Sequence, residues 1–418
     1  MKYINRALLI TVVVMLVFTA SGCGRDDSIM EDAALVYMES TPVVDYTVPE
    51  LTPNILVDRV GYSTSEAKEA VLKGSRLSEE FRIVAAQTGE VVYSGIIEKA
   101  SYSDDSGIYT GYADFYDLAL EGEYYIESDY IGRSYSFVIK NGIYNEMFKE
   151  LYSRLEADCE AGIAEIGDVM TMLLAYEFYG EIFEDEDGNE VPDVMELLEE
   201  WTQNINYSQI EAGYGARYAA FLAKFSYLYQ KYDITYATEC LQRASAVFTQ
   251  TKDAVQNDAD TFFALTELYR ATGIYTYRTQ ILDYKTYFQN NSGFVEEAGY
   301  LYGAMTYMVT RQKVDLELCT LFMDSLMSHG EEIADRSEDM LHPINEKNNG
   351  AEEILDSAIE LACANYVLDS YKYDCLMQDF CHYLMGRNRM SVCFYPEEGS
   401  RSSYFMLAAQ LASQEMAE

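Results

Sequence analysis

The stretch YAAFLAKFSYLY, residues 218–229, decides the fold class of most of the chain. Its apolar side chains recur at the i, i+3, i+4, i+7 spacing that places them on one stripe of an α-helix: Tyr218, Phe221, Leu222, Phe225, Leu228 and Tyr229. Similar stripes recur over residues 170–178, 194–201, 262–269, 300–309, 354–368 and 376–385. Successive amphipathic helices joined by short connections predict an all-α domain over residues 144–418, in which paired helices share a core.

Residues 54–140 follow a different pattern, in which β-branched and aromatic runs are separated by turn residues at short intervals. The runs Phe81–Ala85 and Val91–Tyr93, with Gln87–Glu90 between them, predict a β-hairpin. In Ser134–Ile139 polar and apolar residues alternate, as they do in a strand with one buried face. A segment of this length with several short strands predicts a small β-sandwich.

The N-terminus has the features of an export signal over residues 1–22. Lys2 and Arg6 precede an uncharged apolar run that is too short to span a membrane and that ends in small residues. The end of this run, Thr19–Gly22 followed by Cys23, resembles a bacterial lipobox. The resemblance implies a diacylglycerol on the thiol of Cys23, and therefore a chain anchored by lipid to the outer face of the cell membrane. The alternative is an ordinary cleaved leader with an incidental cysteine.

The chain beyond the leader is strongly acidic. Residues 23–53 are acidic and contain Pro42, Pro49 and Pro53 without a sustained period, which predicts a stalk. The whole chain carries 70 acidic residues against 29 basic ones, a formal net charge of −41. Such a charge repels nucleic acid and anionic lipid headgroups, so a nucleic-acid-binding protein is excluded. The hydrophobic content of 49% is nevertheless sufficient for packed cores.

Four short segments within residues 54–140 carry a family resemblance. They are Ile55–Tyr62 (ILVDRVGY), Thr88–Gly95 (TGEVVYSG), Ala113–Phe115 (ADF) and Gly122–Ile126 (GEYYI). In this order they resemble the immunoglobulin-like domain that precedes the catalytic domain of family 9 glycoside hydrolases.

Further matches follow in the helical part of the chain. Leu174–Glu177 (LAYE) and Gly188–Glu200 (GNEVPDVMELLEE) resemble a helix of family 9 and its "GNGIPDLLDE" segment, and Glu267–Gly273 (ELYRATG) and His382–Asn388 (HYLMGRN) also match. The resemblance implies an immunoglobulin-like β-sandwich followed by a shortened (α/α)6 barrel. It also implies β-1,4-glucan substrates cut with inversion, which requires two carboxyl groups about 6.5–9.5 Å apart.

The catalytic motifs of family 9 are not found in this sequence. In the family the base lies in an Asp-Ala-Gly-Asp motif ahead of the "AYE" helix, and this chain has no such tetrapeptide. The nearest candidates are Asp158 and Asp168, and Asp168 lies much closer to Ala175 than the family's motif would. The family's His-His-Arg segment is also missing. Glu397 and Glu398, in a Pro-Glu-Glu-Gly turn, are the remaining candidates for the acid. The alternative for all four residues is an ordinary solvated charge.

One loop is a candidate cation site. Asp185, Asp187, Asn189 and Asp193 alternate along a segment in which Gly188 supplies a turn. Oxygen donors on a tight loop suit a hard cation such as Ca²⁺, although the terminal glutamate of an EF-hand is missing. The alternative is that Asp193 only caps the helix that follows. No organic cofactor is predicted.

These observations leave three hypotheses for function. The first is a cell-surface lipoprotein that keeps the family 9 scaffold without its catalytic carboxylates and binds or senses a β-glucan or another polysaccharide. The second is an active but divergent endo-β-1,4-glucanase that uses two of the four candidate carboxylates. The third is a structural envelope protein without sugar affinity. Among the 38 tyrosines, helical or strand spacing does not separate a glycan-stacking ring from a packed one.

Overall fold

The computed structural model describes residues 52–104, 106–251, 258–342, 351–395 and 400–415. The predicted leader, Cys23, the stalk up to residue 51, Glu397 and Glu398 lie outside these residues. The described part of the chain forms a β-sandwich followed by a ring of paired helices, as the sequence predicts. None of the helices in the described ranges is both long and apolar enough to cross a membrane.

The β-sandwich consists of two antiparallel sheets. Its strands are β1 (Ile55–Leu56), β2 (Glu69–Gly74), β3 (Glu80–Ala85), β4 (Val91–Ile96), β5 (Glu98–Ser103), β6 (Ile108–Asp114), β7 (Gly122–Ser128), β8 (Gly132–Arg133) and β9 (Phe137–Ile139). One sheet has the order β1-β2-β6-β5, and the other β4-β3-β7-β8, with β9 also paired to β7. The predicted hairpin is β3–β4, and Gly89 in its turn has φ +71°, a value that favours glycine.

The sandwich core is aromatic and lies between the two sheets. Tyr62 packs edge-on against Phe115 and Phe137, with ring centroids 5.3 and 5.4 Å apart. Phe137 and Ile139 of β9 are buried while Val138 between them is only half-buried, as the sequence predicted, but the strand covers only Phe137–Ile139, and Ser134, which was predicted on the polar face, is buried.

The helical part contains thirteen α-helices within the described residues. They are α1 (Asn145–Glu160), α2 (Ile166–Tyr179), α3 (Asp193–Asn204), α4 (Gly215–Tyr229), α5 (Ile234–Thr251), α6 (Asp258–Thr272), α7 (Tyr275–Asp283), α8 (Lys285–Asn290), α9 (Ala298–Val309), α10 (Leu316–Met340), α11 (Ala351–Leu368), α12 (Asp374–Leu384) and α13 (Ser400–Glu415). Helices α2, α4, α6, α9, α11 and α13 contact one another in that order, and α13 closes the ring against α2. The others form the outer layer, in which α7 and α8 together occupy one position.

The inner helices are buried almost all round, because they face both the barrel axis and the outer layer. In α4 the predicted stripe residues Phe221, Leu222, Phe225 and Tyr229 are buried, and so is Lys224, a charged residue in the middle of the apolar run. A helix that is hydrophobic on every side belongs in the core of a large domain.

A buried polar contact joins the sandwich to the helical ring. His382 near the end of α12 places Nδ1 2.9 Å from Asp58 Oδ2, and Tyr144 donates a 2.8 Å hydrogen bond to Glu66 Oε1. Gln410 of α13 donates to the other oxygen of Glu66 at 2.7 Å. Burial disfavours the imidazolium form, but the hydrogen bond to Asp58 and the charges of Glu66 and Asp58 outweigh it, so the pKa of His382 is raised. These contacts fix the sandwich against the helical ring.

Candidate functional site

The inner helices α2, α4, α6, α9 and α11 run in the same direction. The ring therefore has one end where these helices begin and another where they finish. At the end where the inner helices begin, residues 161–165 connect α1 to α2. Asp168, in the first turn of α2, accepts a 3.0 Å hydrogen bond from the backbone N–H of Glu165. This carboxylate closes the start of the helix, as an acidic residue at this position commonly does. Asp158, in the last turn of α1, is half-buried, and its backbone carbonyl accepts from the N–H groups of Ile163 and Ala164.

Helix α13 begins at Ser400 and contacts α2, and its residue Phe405 packs against Phe178 and Tyr179 at the end of α2. The candidates Glu397 and Glu398 precede it in sequence and lie outside the described residues. The role of Asp158, Asp168, Glu397 or Glu398 in catalysis stays a prediction.

The acidic loop before α3 is closed by its own hydrogen bonds. Asp185 accepts from the backbone N–H groups of Gly188, Asn189 and Glu190, at 2.8, 3.2 and 2.7 Å. Desolvation alone would raise the pKa of Asp185, but these hydrogen bonds together outweigh it, so the pKa is lowered. Asp193 accepts from the N–H of Glu186 at 3.1 Å.

The described residues contain no group of three or more His, Cys, Asp or Glu side chains arranged to hold a metal ion. Calcium binding by Asp185, Asp187, Asn189 and Asp193 stays a prediction.

A buried ion network lies near the other end of the ring, where the inner helices finish. Glu177 of α2, Lys224 of α4, and Glu267 and Arg270 of α6 have side chains at most 3% exposed. Lys224 Nζ contacts a carboxylate oxygen of Glu177 and lies 3.1 Å from Glu267 Oε1. Arg270 places Nη1 2.5 Å from Glu177 Oε1 and Nη2 2.6 Å from Glu267 Oε2. Two cations and two carboxylates therefore balance within the core.

The network holds Glu177 in its charged form. Burial alone would raise the pKa of this carboxyl, but the charges of Arg270 and Lys224 and their hydrogen bonds lower it to about 2. Thr306 of α9 donates a 2.8 Å hydrogen bond to Glu267 Oε1, which ties a fourth inner helix to the network. A charged residue in an apolar run, such as Lys224, was the visible sequence signal, and the sequence reasoning gave it no role.

A cavity of about 810 Å³ opens above this network. It is formed by the ends of α2, α4 and α11, the start of α12 and the last turns of α13, and Glu177 lies in its wall. Five tyrosines line it: Tyr176, Tyr179, Tyr232, Tyr366 and Tyr371. We call this space the C-terminal cavity. Its volume falls within the range of small-molecule sites in proteins, about 300–1,000 Å³.

A second groove, of about 770 Å³, lies beside the outer helix α10 and the first half of α11. Its lining is mainly acidic and includes His329, whose Nε2 lies 2.9 Å from Glu360 Oε2. This hydrogen bond, opposed by desolvation, raises the pKa of His329. The groove therefore contains one internally paired histidine in a solvated acidic surface.

Two family models match the chain. The model described as "Cellulase N-terminal ig-like domain" matches residues 50–133, and the model described as "Glycosyl hydrolase family 9" matches residues 174–410, which is more than half of the chain. The chain belongs to glycosyl hydrolase family 9. The family resemblance and the fold expected from the sequence are therefore confirmed.

Solved structures of family 9 proteins share the fold of this family 9 chain. A metagenome-derived family 9 endoglucanase is 18% identical, with a TM-score of 0.63, and the match covers 82% of this chain and 85% of that one. A Bacteroides ovatus family 9 protein is 14% identical, with a TM-score of 0.66 and coverage of 87% and 99%. AaCel9A, solved in complex with cellobiose-like isofagomine, is 15% identical, with a TM-score of 0.65 and coverage of 82% and 84%. No curated protein matches the sequence significantly.

The expected position of the family's catalytic motif and the C-terminal cavity are at opposite ends of the ring. The Asp-Ala-Gly-Asp tetrapeptide, which does not occur in this sequence, is expected from the family resemblance to lie ahead of α2, at the end where the inner helices begin. The C-terminal cavity lies at the opposite end, and the sequence reasoning did not find it. Its lining comes from segments that are far apart in the sequence, around residues 176–182, 228–232, 362–378 and 406–413.

Proposed function

We propose that this family 9 chain is a glycan-binding lipoprotein of the cell surface that does not hydrolyse glycans by the inverting route of its family. The observation that carries the proposal is the short connection at residues 161–165, followed by Asp168 with one carboxylate oxygen held by the N–H of Glu165. The connection contains no Asp-Ala-Gly-Asp motif, and it is too short for the long substrate-binding loop that the family resemblance implies ahead of α2.

The chemistry of inversion explains why this arrangement matters. A general base must hold a water against the sugar while an acid about 6.5–9.5 Å away protonates the leaving oxygen. A carboxylate that closes the first turn of its own helix is directed toward the backbone rather than toward a substrate water. The retained scaffold supports a role in binding β-glucan or a related polysaccharide, and the AaCel9A structure holds a cellobiose-like ligand on the same fold.

Hydrolysis and binding are tested together on the purified chain. We expect no release of reducing ends from carboxymethylcellulose or mixed-linkage β-glucan, and measurable binding of cello-oligosaccharides by calorimetry. Turnover that follows the protein through every purification step contradicts the loss of catalysis. If calorimetry detects no binding of cello-oligosaccharides or of other glycans, the binding role is contradicted and a structural envelope protein is favoured.

An active, divergent endo-β-1,4-glucanase is the second candidate, because the chain belongs to family 9 and its fold matches that of solved family 9 endoglucanases. If reducing ends are released, the single substitutions Asp158→Asn, Asp168→Asn, Glu397→Gln and Glu398→Gln identify the base and the acid. At least one of these substitutions must then abolish turnover. Equal activity in all four variants rejects these residues as catalytic groups.

The lipid anchor is proposed for Cys23 on the lipobox-like sequence, and it suits a protein that retains glycan at the surface. In a bacterial host the chain should fractionate with the membrane and carry a lipid-modified N-terminal peptide. The variant Cys23→Ser should lose both properties, whereas Cys375→Ser, at an exposed free cysteine, should keep them. A Cys23→Ser chain that still fractionates with the membrane contradicts the anchor.

A further inference from the structure

Four large apolar side chains are exposed at the end of the ring where the inner helices finish. Ile234 is the first residue of α5, Ile274 and Tyr275 lie at the start of α7, and Leu316 is the first residue of α10. In chain order they are 63%, 48%, 73% and 78% exposed. Because an outer helix begins where the preceding inner helix finishes, these side chains project from three successive connections, after α4, α6 and α9. We call this surface the apolar end face.

Two of the connections are fixed to each other by hydrogen bonds. Gln312, in the connection after α9, donates from Nε2 to the carbonyl of Arg270 at 3.2 Å, near the end of α6. Arg278 of α7 donates from Nε to the carbonyl of Lys313 at 3.1 Å. The segments that carry Tyr275 and Leu316 therefore lie side by side and form one surface.

The apolar end face is not acidic, although the chain as a whole is. The three connections, residues 230–235, 273–279 and 310–317, contain three carboxylates and four basic side chains: Lys231, Arg278, Arg311 and Lys313. The whole chain has 70 acidic residues against 29 basic ones. The face is therefore a neutral to basic surface on a molecule with a net charge of −41.

The three carboxylates of the face are engaged in local contacts. Asp233 accepts two backbone hydrogen bonds in the first turn of α5, at 2.8 and 3.0 Å, and Asp315 accepts one from the N–H of Leu318 at 2.9 Å. Lys285 Nζ lies 3.3 Å from Asp315 Oδ1 and 2.7 Å from Glu317 Oε2. A lysine and the positive N-terminal ends of α5 and α10 therefore offset the negative charge of these groups.

Two other strongly exposed apolar side chains have acidic surroundings. Ile163, at the opposite end of the ring, lies within residues 156–168, which contain five carboxylates and no Lys or Arg. Leu120, on the β-sandwich, lies within residues 114–123, which contain four carboxylates and no Lys or Arg. A surface that carries phosphate groups would be repelled at both places, whereas the apolar end face presents basic side chains to it.

We propose that the apolar end face rests on a phospholipid bilayer, with Ile234, Tyr275 and Leu316 in the headgroup region and the basic side chains at the level of the phosphates. Exposed aliphatic and aromatic side chains flanked by Lys and Arg are typical of protein surfaces that bind at a membrane interface. The inference goes beyond glycan binding and rests on the proposed lipid anchor at Cys23. The anchor brings the bilayer within reach, since residues 24–51 can span at most about 95 Å.

A bilayer fits this face better than a second protein does. A stable protein interface needs a continuous complementary surface of roughly 800 Å² on each partner. Here the apolar side chains stand on separate connections, one of which also carries the exposed side chains of Arg311 and Lys313. A fluid headgroup layer accommodates separated side chains without shape complementarity, and long basic side chains can reach its phosphates.

The contact gives the anchored chain an orientation. With the apolar end face on the bilayer, the opposite end of the ring, where α2, α4 and α6 begin, points away from the membrane. A polymer outside the cell can then reach that end without passing between the protein and the lipid.

The test places a fluorescent reporter in the apolar end face. The full chain, purified with its lipid from a bacterial host, is reconstituted with phosphatidylcholine vesicles whose acyl chains are brominated, because bromine quenches a tryptophan that enters the bilayer. Tyr275→Trp adds such a reporter to the single native tryptophan, Trp201, which is buried. The added emission should shift to shorter wavelength on reconstitution, and most of it should be lost relative to unbrominated vesicles.

The matched control is Tyr214→Trp, at a tyrosine that is exposed at the opposite end of the ring. Its emission should be equal in brominated and unbrominated vesicles. A second pair of substitutions is made in the Tyr275→Trp chain. Leu316→Asp should abolish the quenching, because it places a carboxylate in the contact, and Leu120→Asp on the β-sandwich should leave the quenching unchanged.

Flotation of the vesicles separates the possible failures. If the parent floats with the vesicles but Tyr275→Trp is not quenched, or Tyr214→Trp is quenched equally, the proposed contact is wrong and the anchor stands. If the parent does not float, the anchor and the contact are both wrong, and glycan binding is unaffected. If the emission of Tyr275→Trp shifts to shorter wavelength with rising protein concentration without vesicles, the face joins two copies of the chain, and the proposal is overturned.

Discussion

At the end of the ring where the inner helices finish, four charged side chains meet in the core, whereas at the opposite end the pair formed by Arg217 and Asp260 lies partly in solvent. Arg217 Nη2 is 2.9 Å from Asp260 Oδ2, and the two side chains are 40% and 13% exposed. Glu177 and Arg270 are at a comparable distance but are almost fully buried. The two ion pairs have similar distances, but one is partly exposed to solvent and the other is buried.

The difference decides what each pair contributes. A buried charge that loses its partner cannot be hydrated, so every member of the buried network depends on the others. A partly exposed pair can exchange its partner for water at little cost. The buried network therefore fixes the positions of α2, α4 and α6 under the C-terminal cavity, while the opposite end is held mainly by helix packing and by local caps.

The largest effect is expected from Arg270→Leu. Removal of this guanidinium leaves Glu177 and Glu267 with only Lys224 between them, and breaking a buried pair typically lowers the free energy of unfolding by about 3–5 kcal/mol. Urea unfolding followed by far-UV circular dichroism measures the change. If the variant does not fold at all, Lys224→Met provides the same test from the other cation.

The matched substitution at the opposite end is Arg217→Leu, which should lower the free energy of unfolding by only about 0–1 kcal/mol. Equal losses in the Arg270 and Arg217 variants would break the comparison. They would mean that the core network is hydrated, or that the exposed pair matters more than its surroundings suggest.

The fold could be predicted from the sequence because its signals are local. Strand alternation in Phe137–Ile139 and the apolar spacing in Tyr218–Tyr229 depend only on neighbouring residues. The sequence also indicates locally that the inner helices are buried, since Val169–Tyr176 is almost wholly apolar and is buried throughout. The family motifs then predicted that the β-sandwich precedes a barrel of paired helices.

The candidate site could not be predicted in the same way. Tyr371 carries no periodic signal, and its ring reaches the cavity only because α11 and α12 meet α2 and α13 at one end of the ring. Asp168 was a candidate base from its sequence position, whereas its hydrogen bond to the N–H of Glu165 depends on where α2 begins. The sequence did show Lys224 in an apolar run, but its partners are on other helices.

A further prediction concerns stability in acid, and it tests the contribution of the buried network alone. The folded-state pKa of Glu177 is about 2, below its ordinary value of 4.5. A group with a depressed pKa stabilises the fold fully above its unfolded value, and this stabilisation is lost as the pH falls through the folded value. The loss amounts to about 3 kcal/mol between pH 5 and pH 2, at roughly 1.4 kcal/mol per pKa unit.

The measurement compares the parent with Glu177→Gln at both pH values. Because the glutamine does not titrate, the difference in unfolding free energy between the two chains should shrink in acid. Glu181→Gln, at an exposed position on the rim of the same cavity, should stay within about 0.5 kcal/mol of the parent at both pH values. A difference between parent and Glu177→Gln that does not depend on pH would contradict the role given to the network.

A smaller effect than in the buried network is expected at the start of α2, and it tests whether Asp168 is a cap. Asp168→Ala removes the acceptor for the Glu165 N–H and should lower the free energy of unfolding by about 1 kcal/mol, the usual value for a lost helix cap. Asp168→Asn keeps a side-chain oxygen at the same place and should cost only a few tenths of that amount. Thermal and urea unfolding of the two variants give this ratio. Equal stability of Asp168→Ala and the parent would show that the carboxylate is free of the backbone, and it would reopen Asp168 as a base that can act on a substrate water.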